Sequence, residues 1–335
     1  MTTHTRIGFA CKWSEETPKG VVAVPELNTR TTTVAWLNRQ HRDVAVERLR
    51  DIVEHNVRSV QLLVEKVGEL DDQLRMVRIG SDILPMYTHR DWSWFYNETD
   101  IRALAEKGLY RAGEIARRNK VRLSFHPGQF CVLASDNPDV VQNSIEEFEY
   151  HATMARWMGF GRSFQDFKIN VHISGRAGPK GFLDAYSKLS PEARNTITIE
   201  NEEYSYGLDD CLSISDSIPV VLDIHHHFIR EGEYISPNDD RVKRVIDSWR
   251  GVRPVLHYSA SREDVLVNHP TDQLPLMESL LAAGHKKQKL RAHSDRYWNK
   301  PMNEWALSFT DTHDIMCESK HKNLASFALH KSWTN

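Results

Sequence analysis

Six residues of metal-ligating or acid–base type stand at or beside the ends of short apolar runs: His126 after Phe125, His172 after Val171, Glu200 after Ile199, Asp223 after Leu222, His257 after Leu256 and Glu318 after Cys317. Any one of these histidines, met alone, reads more readily as a hydrogen-bonded structural residue than as a ligand. Six at equivalent places point to a shared centre. Imidazole and carboxylate donors without thiolates suit Zn²⁺, Mn²⁺ or Fe²⁺ and speak against an iron–sulfur cluster. Glu200, Asp223 and Glu318 near one axis would be costly to bury unpaired, and bound cations would offset that cost. The segment Asp223-Ile224-His225-His226-His227 adds three imidazoles. Strand alternation puts Asp223 and His225 on one side, but the chain is leaving the strand there, so alternation does not choose among the three. His293, in Arg291-Ala292-His293-Ser294-Asp295, is a further isolated candidate.

Eight apolar, β-branched runs would present these residues: Arg6 to Phe9, Met76 to Ile79, Val121 to Phe125, Lys168 to Ile173, Thr196 to Ile199, Ile218 to Ile224, Arg253 to Tyr258 and Asp314 to Cys317. Between them, apolar residues at three-and-four spacing predict helices, most clearly over Arg42 to Lys66, Asp100 to Arg118 and Pro138 to Met158. Thr99 or Asp100 would cap the second and Asp136 or Asn137 the third, where Pro138 suits a first turn. Strands alternating with helices are the pattern of parallel βαβ units, and eight of them predict an α/β fold of the TIM (β/α)₈ barrel type. In that fold the loops after the strands share one mouth, the C-terminal face, so ligands far apart in sequence would meet there. The 335 residues hold a barrel of about 250 residues plus insertions, and no Pro/Gly/Ser-rich linker divides them, so one domain over residues 1–335 is expected.

The composition, 40% hydrophobic and 27% charged, is that of a globular protein with a sizeable core. No apolar run approaches the roughly 18 residues of a membrane span, and residues 1–20 lack the apolar stretch of a secretory signal. A cytoplasmic protein without a membrane partner is the expectation. Cys11, Cys131, Cys211 and Cys317 form no CxxC pair, so neither a zinc knuckle nor a disulfide framework is indicated. A net charge of −3 argues against nucleic-acid binding through bulk positive charge, although bound divalent cations would add positive charge locally. The basic segment Lys286-Lys287-Gln288-Lys289-Leu290-Arg291 reads as a solvated face, or as a phosphate contact. The aromatic segment Trp92-Ser93-Trp94-Phe95-Tyr96 reads as packing against the barrel, with stacking on nucleotides as its other use.

In order and spacing, several motifs resemble the UV damage endonuclease family. They are Met76-Val77-Arg78-Ile79-Gly80 leading to His89, Ser124-Phe125-His126-Pro127-Gly128-Gln129-Phe130, Val171-His172-Ile173-Ser174-Gly175, Ile199-Glu200-Asn201-Glu202-Glu203, Val221-Leu222-Asp223 with His226, and Met316-Cys317-Glu318-Ser319-Lys320. The resemblance runs from about Arg6 to Lys320, with His-Pro-Gly-Gln its most specific piece. It implies a barrel related to endonuclease IV that binds up to three divalent ions, Mn²⁺ foremost and Zn²⁺ or others as further choices. His126, His172 and Glu200 would hold one ion, Glu200, Asp223, His257 and Glu318 a second, and His226 and His293 a third. It is the family's Asp-x-x-His spacing that selects His226. His89 matches an active-site histidine and Lys320 a lysine placed to contact phosphate; with Glu200 they make up the implied catalytic set.

Gln129-Phe130 corresponds to a Gln-Tyr pair that the family inserts into the duplex at the lesion. Phe9 and Trp13 stand where the family has a tyrosine and an asparagine near the first strand, and they are implied as lesion contacts, although Phe9 reads at least as readily as packing. Val255 stands where the family has a lysine, two residues before the histidine of the seventh run, and valine can neither ligate nor carry charge. The implied activity is metal-dependent hydrolysis of UV-damaged double-stranded DNA, by a monomer. The cut would fall immediately 5′ of cyclobutane dimers or (6-4) photoproducts, and at abasic sites, leaving a 3′-hydroxyl and a 5′-phosphate. Two other readings use the same ligands: a sugar isomerase on the same barrel, and a catalytically silent damage-binding protein with structural metals. Gln129-Phe130 and the basic segment favour DNA over a sugar, and the three carboxylates favour turnover.

Overall fold

The centre of the molecule is built by strands whose alternate residues face opposite ways. A computed structural model describes residues 5–334. Its strands are β1 (Ile7–Cys11), β2 (Ser14–Thr17), β3 (Gly20–Ala23), β4 (Met76–Ile79), β5 (Arg122–Phe125), β6 (Lys168–His172), β7 (Ile197–Glu200), β8 (Val220–Val221), β9 (Val255–Tyr258) and β10 (Asp314–Cys317). β2 and β3 form an antiparallel hairpin that hydrophobic patterning does not announce, because most of its residues are at least partly exposed. The other eight strands make one parallel sheet in the order β8-β7-β6-β5-β4-β1-β10-β9, and a parallel bridge between Asp223 and His257 joins its edges into a barrel. All eight predicted runs are therefore strands of a TIM barrel.

The sixth run is shorter than its apolar length suggests. Asp223 ends it by capping the helix Ile224–Glu231, its Oδ1 accepting the His226 N–H at 2.7 Å. Of the long helices, Pro138–Trp157 begins as the sequence predicts, with Asn137 Oδ1 accepting from Asp139 N at 2.9 Å and Pro138 in the first turn. The helix Thr99–Arg118 does not: Glu98 occupies the cap position without a side-chain hydrogen bond. Asp100 lies inside the first turn, where it pairs with Arg50 of the helix Arg42–Gly68 instead.

Ile7, Phe9, Val77, Leu123, Phe125, Ile169, Val171, Ile197, Ile199, Leu256 and Cys317 belong to the main core, between the barrel wall and its helices. The intervening Ala10, Met76, Val221, Val255 and Met316, with Trp249, form a separate apolar cluster inside the barrel. Phe95 and Tyr96 are buried in the main core, so the aromatic segment is largely packing. The four cysteines are unpaired thiols. No helix among the described residues is long and apolar enough to cross a membrane.

At the N-terminal end of the barrel, the buried Asp314 ties four strands or their approaches together. It accepts from Arg6 N at 2.9 Å and pairs with Arg122 at 2.7 Å and Arg253 at 3.0 Å, with the Arg6 guanidinium 3.7 Å away. Asp314→Asn would leave the guanidinium groups around an uncharged amide. It should cost about 3–5 kcal/mol, read as a lower urea midpoint; an unchanged midpoint would show that the cluster closes nothing. A second expectation concerns acid. Burial holds the His151 imidazole down to about 4, while its Nδ1–H donates to Glu147 O at 2.8 Å. A depressed histidine contributes stability that is present above its unfolded value and is lost as pH falls toward the folded one. Between pH 6.5 and about 4 the chelator-treated protein should therefore lose about 3 kcal/mol at this residue. His151→Leu should flatten that slope in denaturant titrations at stepped pH.

Candidate metal centre

Inside the barrel, Lys168, Asn170 and His172 alternate along β6 with Ile169 and Val171 of the core, and Glu200 ends β7. Glu200 is fully buried, and its two oxygens face different histidines. Oε1 lies 2.9 Å from His257 Nδ1, whereas Oε2 lies 3.3 Å from His126 Nε2 and 4.0 Å from His172 Nε2. Asn170 Nδ2 also donates to Oε2, and Thr198 Oγ1 fixes Asn170 by donating to its Oδ1 at 2.8 Å. Glu318 Oε1 stands 3.3 Å from His257 Nδ1 and is paired with Arg78, which arrives from β4.

Two sets of donor atoms each fall within 4.8 Å of one another: His126, His172 and Glu200, and Glu200, Asp223 and His257. The first set has the residues of the first group that the resemblance implies; the second has three of the four in the second group, with Glu318 outside it, 3.3 Å from His257. The third pair is arranged differently. His226 turns toward the centre, its Nδ1 3.0 Å from Asn201 O and 3.8 Å from both Glu200 and Asp223, with Nε2 3.7 Å from Glu203. His293 Nδ1 lies 3.1 Å from Glu318 O, and the ring beside His293 is His225, with centroids 6.2 Å apart. His227 pairs with Glu233 at 2.8 Å. Among the described residues, no group of three donors contains both His226 and His293.

The electrostatics fit a cation site. Burial works against the Glu200 charge, but the hydrogen bonds from His126 and His257 favour it, and the carboxyl is held well below the usual range. For Glu318, the Arg78 guanidinium does the same against burial. Asp223 goes the other way: burial, reinforced by Glu200 and Glu318, pushes its carboxyl well above the usual range despite His226. Its Oδ2 is buried without a hydrogen-bond partner. Burial lowers His172 and His257 to about 4, leaving neutral imidazoles, the form that ligates. His226 is raised to about 10, because Asp223, Glu200 and Glu203 together outweigh its burial. A carboxylate oxygen without a hydrogen bond, neutral imidazoles and a shared glutamate are what a divalent ion would satisfy.

Other predicted residues sit farther out. Lys320 Nζ lies 3.3 Å from Asp295 and is half-exposed. His89 Nδ1 accepts from Asp91 N at 3.2 Å, in the loop after β4. Gln129 is exposed, and Phe130 is 85% exposed in the loop that follows His126. Phe9 and Trp13, in contrast, are 0% and 5% exposed, with rings 5.8 Å apart, and Trp13 packs edge-on against Phe327. The expectation that they touch a lesion is corrected: β1 directs Phe9 outward into the layer between barrel and helices, and Trp13 joins it there.

Sequence reasoning passed over Lys168, whose Nζ lies 2.8 Å from His257 Nε2. Burial brings its amine down to about 7. A basic side chain therefore reaches His257 from β6, whereas Val255 on the strand of His257 offers none. The polar residues 168, 170 and 172 at every second place of an apolar run were the available signal. Glu202, 3.8 Å from His172 Nδ1, and Glu203, paired with Arg291 at 2.8 Å, add acidic groups around the rim.

Known proteins resemble the chain over nearly its whole length. The model of a family described as UV-endonuclease UvdE matches residues 5–335. A UV DNA damage endonuclease of Bacillus cereus (strain B4264) is 26% identical over 311 residues, covering 89% of this chain and 86% of the relative. One from Bacillus thuringiensis subsp. konkukian (strain 97-27) is 27% identical over 308 residues, covering 88% and 84%. Among solved structures, SacUVDE superposes with a TM-score of 0.73 at 24% identity, covering 99% of this chain and 98% of that one. Endonuclease IV from Thermus thermophilus gives 0.52 at 13% identity, covering 82% and 93%. These two likenesses establish the fold. With a family match over nearly its full length, the chain belongs to the UV-endonuclease UvdE family.

Proposed function

We propose that this chain cuts UV-damaged double-stranded DNA immediately 5′ of a photoproduct, leaving a 3′-hydroxyl and a 5′-phosphate. Cyclobutane dimers, (6-4) photoproducts and abasic sites are its substrates, and it acts as a cytoplasmic monomer of one barrel domain. The observation that supports this reading best is Glu200, buried between two groups of ligand-type side chains in a member of a UV-endonuclease family. Divalent ions bound there, Mn²⁺ in first place, would supply an activated water and neutralise charge on the phosphate.

The chain's own residues have separable tasks. His126, His172 and Glu200 would hold one ion, and Glu200, Asp223 and His257, with Glu318, a second; His226 and His293 are the residues proposed for a third. Arg78 keeps Glu318 ionised and aimed at His257. Lys320 and His89 lie outside the buried cluster and would bind the phosphate backbone. Phe130, exposed beside Gln129, would fill the gap left when the lesion leaves the stack, and a photoproduct that already stacks poorly lowers the cost of opening it.

On a duplex carrying one cyclobutane dimer, with Mn²⁺ added, Glu200→Gln should lower incision by at least about 100-fold while lesion binding persists. Full incision with full metal content would remove Glu200 from the reaction. Phe130→Ala should weaken binding to the damaged duplex by about 1–3 kcal/mol and leave undamaged DNA unaffected in a competition assay. Equal losses on both duplexes would make Phe130 a general contact and not a lesion wedge.

A further inference from the structure

A lysine inside a barrel needs a reason. Lys168 is 2% exposed, and the cluster that fills the barrel below the ligands is apolar: Ala10, Met76, Val221, Val255 and Met316 around Trp249. Burying an amine among such groups is unfavourable unless a polar partner meets it. That partner is His257 Nε2 at 2.8 Å, and Lys168 is its one hydrogen-bonding neighbour among the described residues. The opposite nitrogen of the same ring, Nδ1, faces Glu200 Oε1 at 2.9 Å and Glu318 Oε1 at 3.3 Å.

An imidazole turned by half a rotation about its Cβ–Cγ bond would present carbon where Nδ1 now stands. The flip would forfeit the contacts on both edges, and a partner on the far side adds to the energy difference between the two orientations. Val255, two residues before His257 and in the apolar cluster, cannot hydrogen-bond to the ring. We infer that Lys168 is a positioning residue of the metal centre, reaching from β6 so that its amine nitrogen accepts the Nε2–H of His257, which locks that ring with the Nδ1 lone pair toward Glu200 and Glu318. The inference rests on the reading that His257 and Glu200 hold an ion. It adds a specific dependence: the group containing His257 needs Lys168, whereas the group formed by His126 and His172 does not.

Mn²⁺ titration of chelator-treated protein by calorimetry tests this. Wild-type protein should show separate binding steps, and His126→Ala identifies which one belongs to the His126 group. Lys168→Met should weaken the other step by about 10–100-fold, the usual cost of losing a group that orients a ligand. Its metal-free thermal midpoint should change little, since relief of the buried amine offsets the hydrogen bond lost at His257 Nε2. Wild-type-like binding at both steps would overturn the inference. So would loss of both steps together with a collapsed metal-free midpoint, which would make Lys168 a structural residue. Absence of any Mn²⁺ binding by wild-type protein would instead overturn the reading of the centre itself. Ring ¹⁵N spectra of wild-type protein, with His257 signals assigned through His257→Gln, give a check that needs no Lys168 variant. One fixed ring state is expected, and an averaged ring would overturn the proposal.

Discussion

A carboxylate on the axis of a barrel is the constraint that organises this molecule. Glu200 lies fully buried at the end of β7, in a place where an isolated charge would be prohibitively costly. The residues around it answer that cost one by one. His126 and His257 hydrogen-bond to opposite oxygens, and Asn170 donates to one of them, itself held by Thr198. Each comes from a different strand or its end, so the barrel must close in the observed register before Glu200 is stabilised. Fold and site are therefore coupled through one side chain.

The two ends of the barrel treat buried charge differently. At the N-terminal end, Asp314 is surrounded by arginines and hydrogen bonds, and the cluster is complete as it stands. At the C-terminal end, Asp223 keeps an oxygen without a hydrogen bond, 3.8 Å from His226 Nδ1, and is pushed toward its neutral form. A purely structural charge cluster has no use for a buried carboxylate oxygen that accepts no hydrogen bond. A centre that binds cations does, because the ion supplies the missing interaction and restores the carboxylate.

Aromatic residues divide in the same way between packing and exposure. Phe9 and Trp13 resemble lesion contacts by position in the chain, yet both serve the layer between barrel and helices, where the C-terminal helix Asn323–Thr334 covers them through Phe327. Phe130 has no such cover and stands in the loop directly after a ligand-type residue. Proximity in sequence to the site does not separate the two cases. The direction in which the strand or loop sends the ring does.

The sequence by itself determined the eight barrel strands, because short apolar, β-branched runs between helical patterns are a local signal: all eight runs, and the ligand-type residues at their ends, were legible in the order of residues alone. That Glu200 should be shared came from the motif resemblance and not from the residue pattern. The sequence did not determine the cap of the helix Thr99–Arg118, since Asp100 found a stronger partner in Arg50, fifty positions away. Nor could it choose among His225, His226 and His227, which fall in the first turns of a helix and so point in three directions; only packing turned His226 to Glu200, His227 to Glu233 and His225 toward His293. Lys168 marks the limit most clearly. Its partner His257 lies 89 residues away, and which strands face each other across a closed barrel is settled by tertiary register, a quantity that no local pattern encodes.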